Sequence, residues 1–182
     1  QVGGSVGESG KANAALGKAA PLAALLLIAI LLAEFNSFRR LAIVMSTAPL
    51  AALGVWPGLY LLDLPFGFVA LLGAIALIGI AVNGAIVLID VTESERARGL
   101  DIPSALTEAV RRRTRPILLT TATTVAGLVP LLFSDSTLWP PMAAAMISGL
   151  CIATALTLAF VPALYRILFR DASSSPALVA AE

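Results

Sequence analysis

The sequence has no histidine and only one cysteine, Cys151. The lack of histidine removes the commonest general base, proton shuttle and metal ligand together. A lone cysteine can form neither an intrachain disulfide nor a CxxC site. Cys151 lies inside an apolar run and is expected as a small buried residue. Charge is also scarce. Asp, Glu, Lys and Arg make up 13% of the chain, against about one quarter in a soluble domain. The net charge of +1 gives no argument for nucleic acid as a partner. No Ser or Asp pairing has hydrolase spacing, so no enzyme activity, cofactor or metal site is expected.

Apolar residues are abundant instead. The chain is 59% hydrophobic with a mean hydropathy of +0.95, which fits a protein that uses lipid as its solvent. Five runs are long enough to cross a bilayer, at about 19–36, 41–62, 64–89, 116–133 and 140–165. Pro49 and Pro57 should kink the second, and Pro140-Pro141 should mark the start of the fifth. The third run, Leu64–Ile89, is interrupted late by Asn83 and Gly84. The fold class expected is therefore an all-α membrane protein. It has five transmembrane helices and one cytoplasmic amphipathic helix at about 102–112, where Ile102, Leu106 and Val110 recur at intervals of four. Asp101 can cap that helix.

Residues 1–18 are rich in Gly, Ala and Ser and read as a flexible lead-in or the end of a preceding domain. Residues 19–170 form the membrane domain, and 171–182 a disordered cytoplasmic tail. The chain begins with Gln and lacks the n-region of a signal peptide, so it is expected to be a fragment. Strict alternation of five spans sorts ten Lys or Arg residues to one side and two, Lys11 and Lys18, to the other. The basic side is Arg39, Arg40, the six arginines between Arg96 and Arg115, Arg166 and Arg170. The positive-inside rule then places the amino end outside and the carboxyl end in the cytoplasm.

Polar residues within spans must find a partner or a water-filled path. Ala76, Asn83 and Asp90 are seven apart and share one helical stripe, with Asp90 about 10 Å beyond Asn83. Arg113, Thr120 and Gly127 share another, and Thr121, Thr123 and Thr124 lie beside it. Asn83 can hold a neighbour's proton donor or acceptor in place, or simply bond a neighbouring helix. The threonines can face a functional path, or bond back to their own helix carbonyls. Thr154 and Thr157 are assigned to packing. No carboxylate lies in the interior of any span. A proton-driven machine needs one, so these residues can form only the second half of a relay.

Several segments in order carry a resemblance. They are Phe35-Asn36-Ser37-Phe38-Arg39-Arg40, Pro65-Phe66-Gly67-Phe68, Gly79 through Asp90, Arg115-Pro116-Ile117-Leu118-Leu119-Thr120-Thr121, and Val161-Pro162-Ala163-Leu164-Tyr165. Together they resemble the carboxyl-terminal membrane half of the resistance-nodulation-division (RND) transporters, in the multidrug and amphiphile efflux (AcrB-like) branch. The resemblance covers roughly residues 5–170. It implies the last five spans of a twelve-span bundle whose missing amino-terminal half belongs to the same chain. Residues 1–18 would end a periplasmic porter domain. It also implies a homotrimer in the inner membrane of Gram-negative bacteria, surrounded by the lipid bilayer and working with a periplasmic adaptor and an outer-membrane channel. Protons would flow inward while drugs or amphiphiles leave.

The family's proton site is an acidic pair on a first-half helix, absent from this chain. Its partners are often a lysine at the position of Asn83, an arginine at Arg113 and a threonine at Thr120. Arg113 and Thr120 match. Asn83 departs from the lysine form, although other members carry Asn there. The cationic partner of the carboxylates is thus left open, and Arg113 can take that part alone. By pseudo-symmetry, Asn83-Gly84 occupies the place of the acidic pair. Asp90 and Thr124 are secondary candidates. Other members of the superfamily export protein, handle lipid or act as regulators, and a structural segment without its own activity is a further alternative.

Overall fold

The computed structural model describes residues 2–169. The described residues form six helices: α1 (Val2–Phe35), α2 (Phe38–Leu53), α3 (Val55–Leu61), α4 (Phe68–Ala97), α5 (Ile102–Leu132) and α6 (Trp139–Phe169). There is no strand among the described residues. Five helical segments are long and apolar enough to cross a membrane, with α2 and α3 together counting as one. The expected tail, 171–182, lies outside the described residues.

Helix ends differ from the polarity boundaries for local reasons. Pro57 has no N–H to give the carbonyl of Leu53, and the second span breaks there, at Gly54, into α2 and α3. Pro49 is accommodated inside α2. α4 begins at Phe68 and passes through Asn83-Gly84 without a break. It runs on to Ala97 and stops in a Schellman turn. Gly99 takes φ +95, its N–H bonds the Arg96 carbonyl, and the Leu100 N–H bonds the Glu95 carbonyl. α1 begins at Val2 and ends at Phe35, and Asn36, with a φ of 43, turns the chain into α2.

The amphipathic helix expected at 102–112 is not a separate surface element. It is the first third of α5, which continues through Pro116 to Leu132. Its apolar stripe is used in packing: Ile102, Ala105, Leu106 and Ala109 are buried. Asp101 sits at the N-cap position without a side-chain cap bond.

α6 is the centre of the bundle and packs on α2, α3, α4 and α5. One core cluster gathers large side chains at the arginine-rich end, including Phe35, Ile43, Leu88, Leu106 and Tyr165. The other cluster is mostly alanine, with Ala51, Ala70, Ala74, Ala81, Ala144, Ala145 and Ala153. Such small residues let helices approach closely where lipid offers no hydrophobic drive. Gly149 receives the Leu77 side chain, and Gly58 lies against α6. A Cβ on Gly58 would stand 2.6 Å from the Ala144 carbonyl oxygen, a backbone atom that cannot rotate away. Gly58→Ala is therefore expected to cost about 1–3 kcal/mol and to lower the melting temperature of the transporter. An unchanged melting temperature would show that α3 and α6 separate freely. Cys151, expected buried, is exposed on the outer side of α6.

Candidate functional site

A cleft of about 270 Å³ lies between α4, α5 and α6. Asn83, Gly84 and Ala81 come from α4; Arg113, Thr120, Thr121 and Thr124 from α5; Ala153, Thr154 and Thr157 from α6. The small residues Ala81, Gly84 and Ala153 leave the space open. A Cβ on Gly84 would meet only the Thr157 methyl group, at 3.8 Å. The seven-residue stripes of α4 and α5 thus converge, and Asn83, Arg113, Thr120 and Thr124 share one site. Asp90 does not line it. It stands exposed further along the same α4 face as Leu72, Ala76 and Asn83, which are also exposed. Beyond Ala109, α5 has no buried residue.

Three consecutive arginines at the head of this cleft have three fates. Both Arg111 bonds go to Glu108, each at 3.0 Å. Arg112 bonds Glu108 at 2.6 Å and Glu95 at 2.8 Å. Arg113 is half-buried, turns to the cleft, and has no ion pair among the described residues. An uncompensated guanidinium next to apolar surface calls for an anion. Most threonine hydroxyls of α5 bond back to their own helix. Thr120 donates to the Ile117 carbonyl at 2.9 Å and Thr124 to the Thr120 carbonyl at 2.8 Å. Thr121 instead meets Thr154 of α6, oxygen to oxygen at 2.7 Å. Thr154 and Thr157, assigned to packing, are buried and also line the cleft.

The arginine-rich end also holds two carboxylates that sequence reasoning passed over. Glu93 accepts from Arg40 at 2.8 Å, from Arg96 at 3.3 Å and from the Tyr165 hydroxyl. Arg96 also donates to the Tyr165 oxygen at 2.9 Å and lies 5.8 Å over the Phe169 ring. This ties the start of α2 and the ends of α4 and α6 together. Glu95 is 3% exposed and accepts from Arg98 and Arg112, each at 2.8 Å. Two positions apart on a helix means about 200° apart, so Glu93 and Glu95 serve opposite neighbours. A signal for this was present: Glu93–Arg96 and Glu95–Arg98 have the i,i+3 spacing of helical ion pairs.

The comparisons agree with this architecture. The AcrB/AcrD/AcrF family matches residues 1–169. The chain is 33% identical over 153 residues to the cobalt-zinc-cadmium resistance protein CzcA of Cupriavidus metallidurans, covering 82% of this chain and 14% of that protein. It is 35% identical over 135 residues to the multidrug resistance protein MdtC of Salmonella paratyphi B, covering 72% and 13%. A crystal structure of a heavy metal efflux pump superposes with a TM-score of 0.78 at 30% identity, over 90% of this chain and 17% of that one. The chain thus spans about one seventh of the curated relatives it matches. The helix order, the spans and these matches agree: the chain belongs to the AcrB/AcrD/AcrF family of RND efflux transporters.

Proposed function

We propose that this chain is the second-half membrane part of a proton-coupled RND pump that exports drugs or amphiphiles. It contributes Asn83, Arg113 and Thr120 as partners of carboxylates on a first-half helix, with Asp90 and Thr124 in secondary places. The observation that carries the reading is Arg113, turned into the cleft beside Asn83 and Thr120 with no anion among the described residues. The exposed α4 stripe of Ala76, Asn83 and Asp90 supports it, because it offers the missing helices a place to dock. Protonation of the carboxylates would release Arg113 and shift α4 and α5, and that movement would drive the periplasmic domains. The pump would lie in the inner membrane of a Gram-negative bacterium as a homotrimer with an adaptor and an outer-membrane channel. Its amino end would be periplasmic, where residues 1–18 would close a porter domain, and its carboxyl end cytoplasmic.

Thr120→Ala in the full-length transporter is expected to lower efflux about threefold to tenfold at unchanged membrane level, the worth of one hydrogen bond. Unchanged efflux would remove Thr120 from the relay. A second reading has its own support: the structural likeness to a heavy metal efflux pump and the identity to CzcA favour a divalent metal cation as cargo. Susceptibility of a pump-deleted strain carrying the full transporter decides between them. Protection against zinc, cobalt and cadmium but not against dyes and detergents selects the metal, and the reverse selects the amphiphile.

A further inference from the structure

The hydroxyls of α5 are not equivalent. Thr120, Thr123 and Thr124 bond carbonyls of their own helix, at 2.9, 2.9 and 2.8 Å. Thr121 alone among them reaches another helix, meeting Thr154 at 2.7 Å. Among the described residues this is the one side-chain pair of two neutral hydroxyls, and both line the cleft that holds Arg113 and Asn83. Each hydroxyl has one hydrogen and two lone pairs. The pair shares one hydrogen, so one O–H stays free. Reversing the shared bond moves that free donor from the α5 side to the α6 side without any proton leaving the pair.

We propose that Thr121 and Thr154 are positioning residues that link the charge state of the cleft to α6. The inference rests on the reading of the cleft as half of a proton relay. A carboxylate facing the cleft favours the arrangement that aims the free O–H toward it. A protonated carboxyl, itself a donor, favours the arrangement that presents a lone pair. α6 packs on α2, α3, α4 and α5, so a change in its tie to α5 reaches most of the bundle. Apolar packing alone would not need two hydroxyls here: valine has nearly the shape of threonine, and replacing both partners of a hydrogen bond by apolar groups of the same shape is close to neutral for stability.

That contrast supplies the test. In the full-length transporter, Thr121→Val, Thr154→Val and the double variant are compared for efflux per transporter in the membrane across external pH. Each is expected to lower efflux about threefold to tenfold. Each should also move the pH of half-maximal efflux by about half a unit or more. Thr121→Ser, which keeps the hydroxyl, should retain both values. Wild-type efflux and pH profile in the double valine variant would overturn the proposal and leave the pair as helix glue. Should a valine variant fail to reach the membrane, the alanine variants at the same positions are read in the same way. Arg113→Ala run in parallel separates the two levels. Lost efflux there with wild-type behaviour in the threonine variants overturns only this inference. Unchanged efflux in Arg113→Ala overturns the relay reading, and this inference with it.

Discussion

Replacing Arg113 with alanine is expected to lower efflux by the full-length transporter about tenfold to a hundredfold at unchanged membrane level. The size follows from the environment. A hydrogen bond to a charged group contributes about 1.5–3 kcal/mol, and Arg113 has no other ion pair among the described residues to absorb its charge. Its neighbours are internal controls. Arg111 is exposed and paired with Glu108 on the surface, where such pairs are worth about 0–1 kcal/mol. Arg111→Ala should therefore leave efflux within about twofold of wild type. Arg113→Lys keeps the charge but loses the planar fork that can hold two oxygens, so it should fall between wild type and alanine. If Arg113→Ala and Arg111→Ala behave alike, position 113 is basic only because it lies at a membrane surface, and the relay assignment falls.

This three-way split of one Arg-Arg-Arg run shows how far the sequence could be read. The seven-residue stripes put Asn83 and Asp90 on one face of α4, and Arg113 and Thr120 on one face of α5. Helix geometry alone makes that inference, and the cleft brings three of the four together. Asp90 fell outside because the stripe continues past the end of the cleft. Span ends were harder, since polarity marks where a helix leaves the membrane, not where its hydrogen bonds stop. α4 ignores the boundary at Asp90 because acid–base pairs at i,i+3 support another two turns, until Gly99 can take a positive φ. The same reasoning joins the amphipathic segment to the fourth span: nothing between Arg111 and Pro116 ends a helix, and α5 continues through Pro116 as helices packed in a membrane bundle can. The Thr121–Thr154 pair leaves no local trace, because its partners are 33 residues apart on different helices.

Removing Arg98 and Arg112 together is expected to destabilise the junction of α4 and α5 by about 3–5 kcal/mol, far more than either single removal. The Glu95 side chain taken alone is only 5% exposed, while the two arginine side chains that bond it are 62% and 48% exposed. With one arginine gone, the other still compensates the carboxylate, and the cost should stay near that of a partly exposed pair, about 1 kcal/mol or less. With both gone, a charge is left in the core without a counter-ion, the condition that makes breaking a buried pair costly. Glu95→Ala should cost less than the double arginine variant, because its partners can turn to water. Melting temperatures of the four transporters in detergent, read as a double-mutant cycle, test this. Simple additivity of the two arginine variants would show that Glu95 is not shared between them. The junction also bears on the cleft, because α5 is one helix from Ile102 to Leu132. Arg112 clamped to Glu95 fixes the rotation of α5, and the next residue is Arg113. Loosening the clamp should therefore weaken efflux even in molecules that remain folded, and Glu95→Gln, which keeps a hydrogen-bond acceptor in place, should weaken it least.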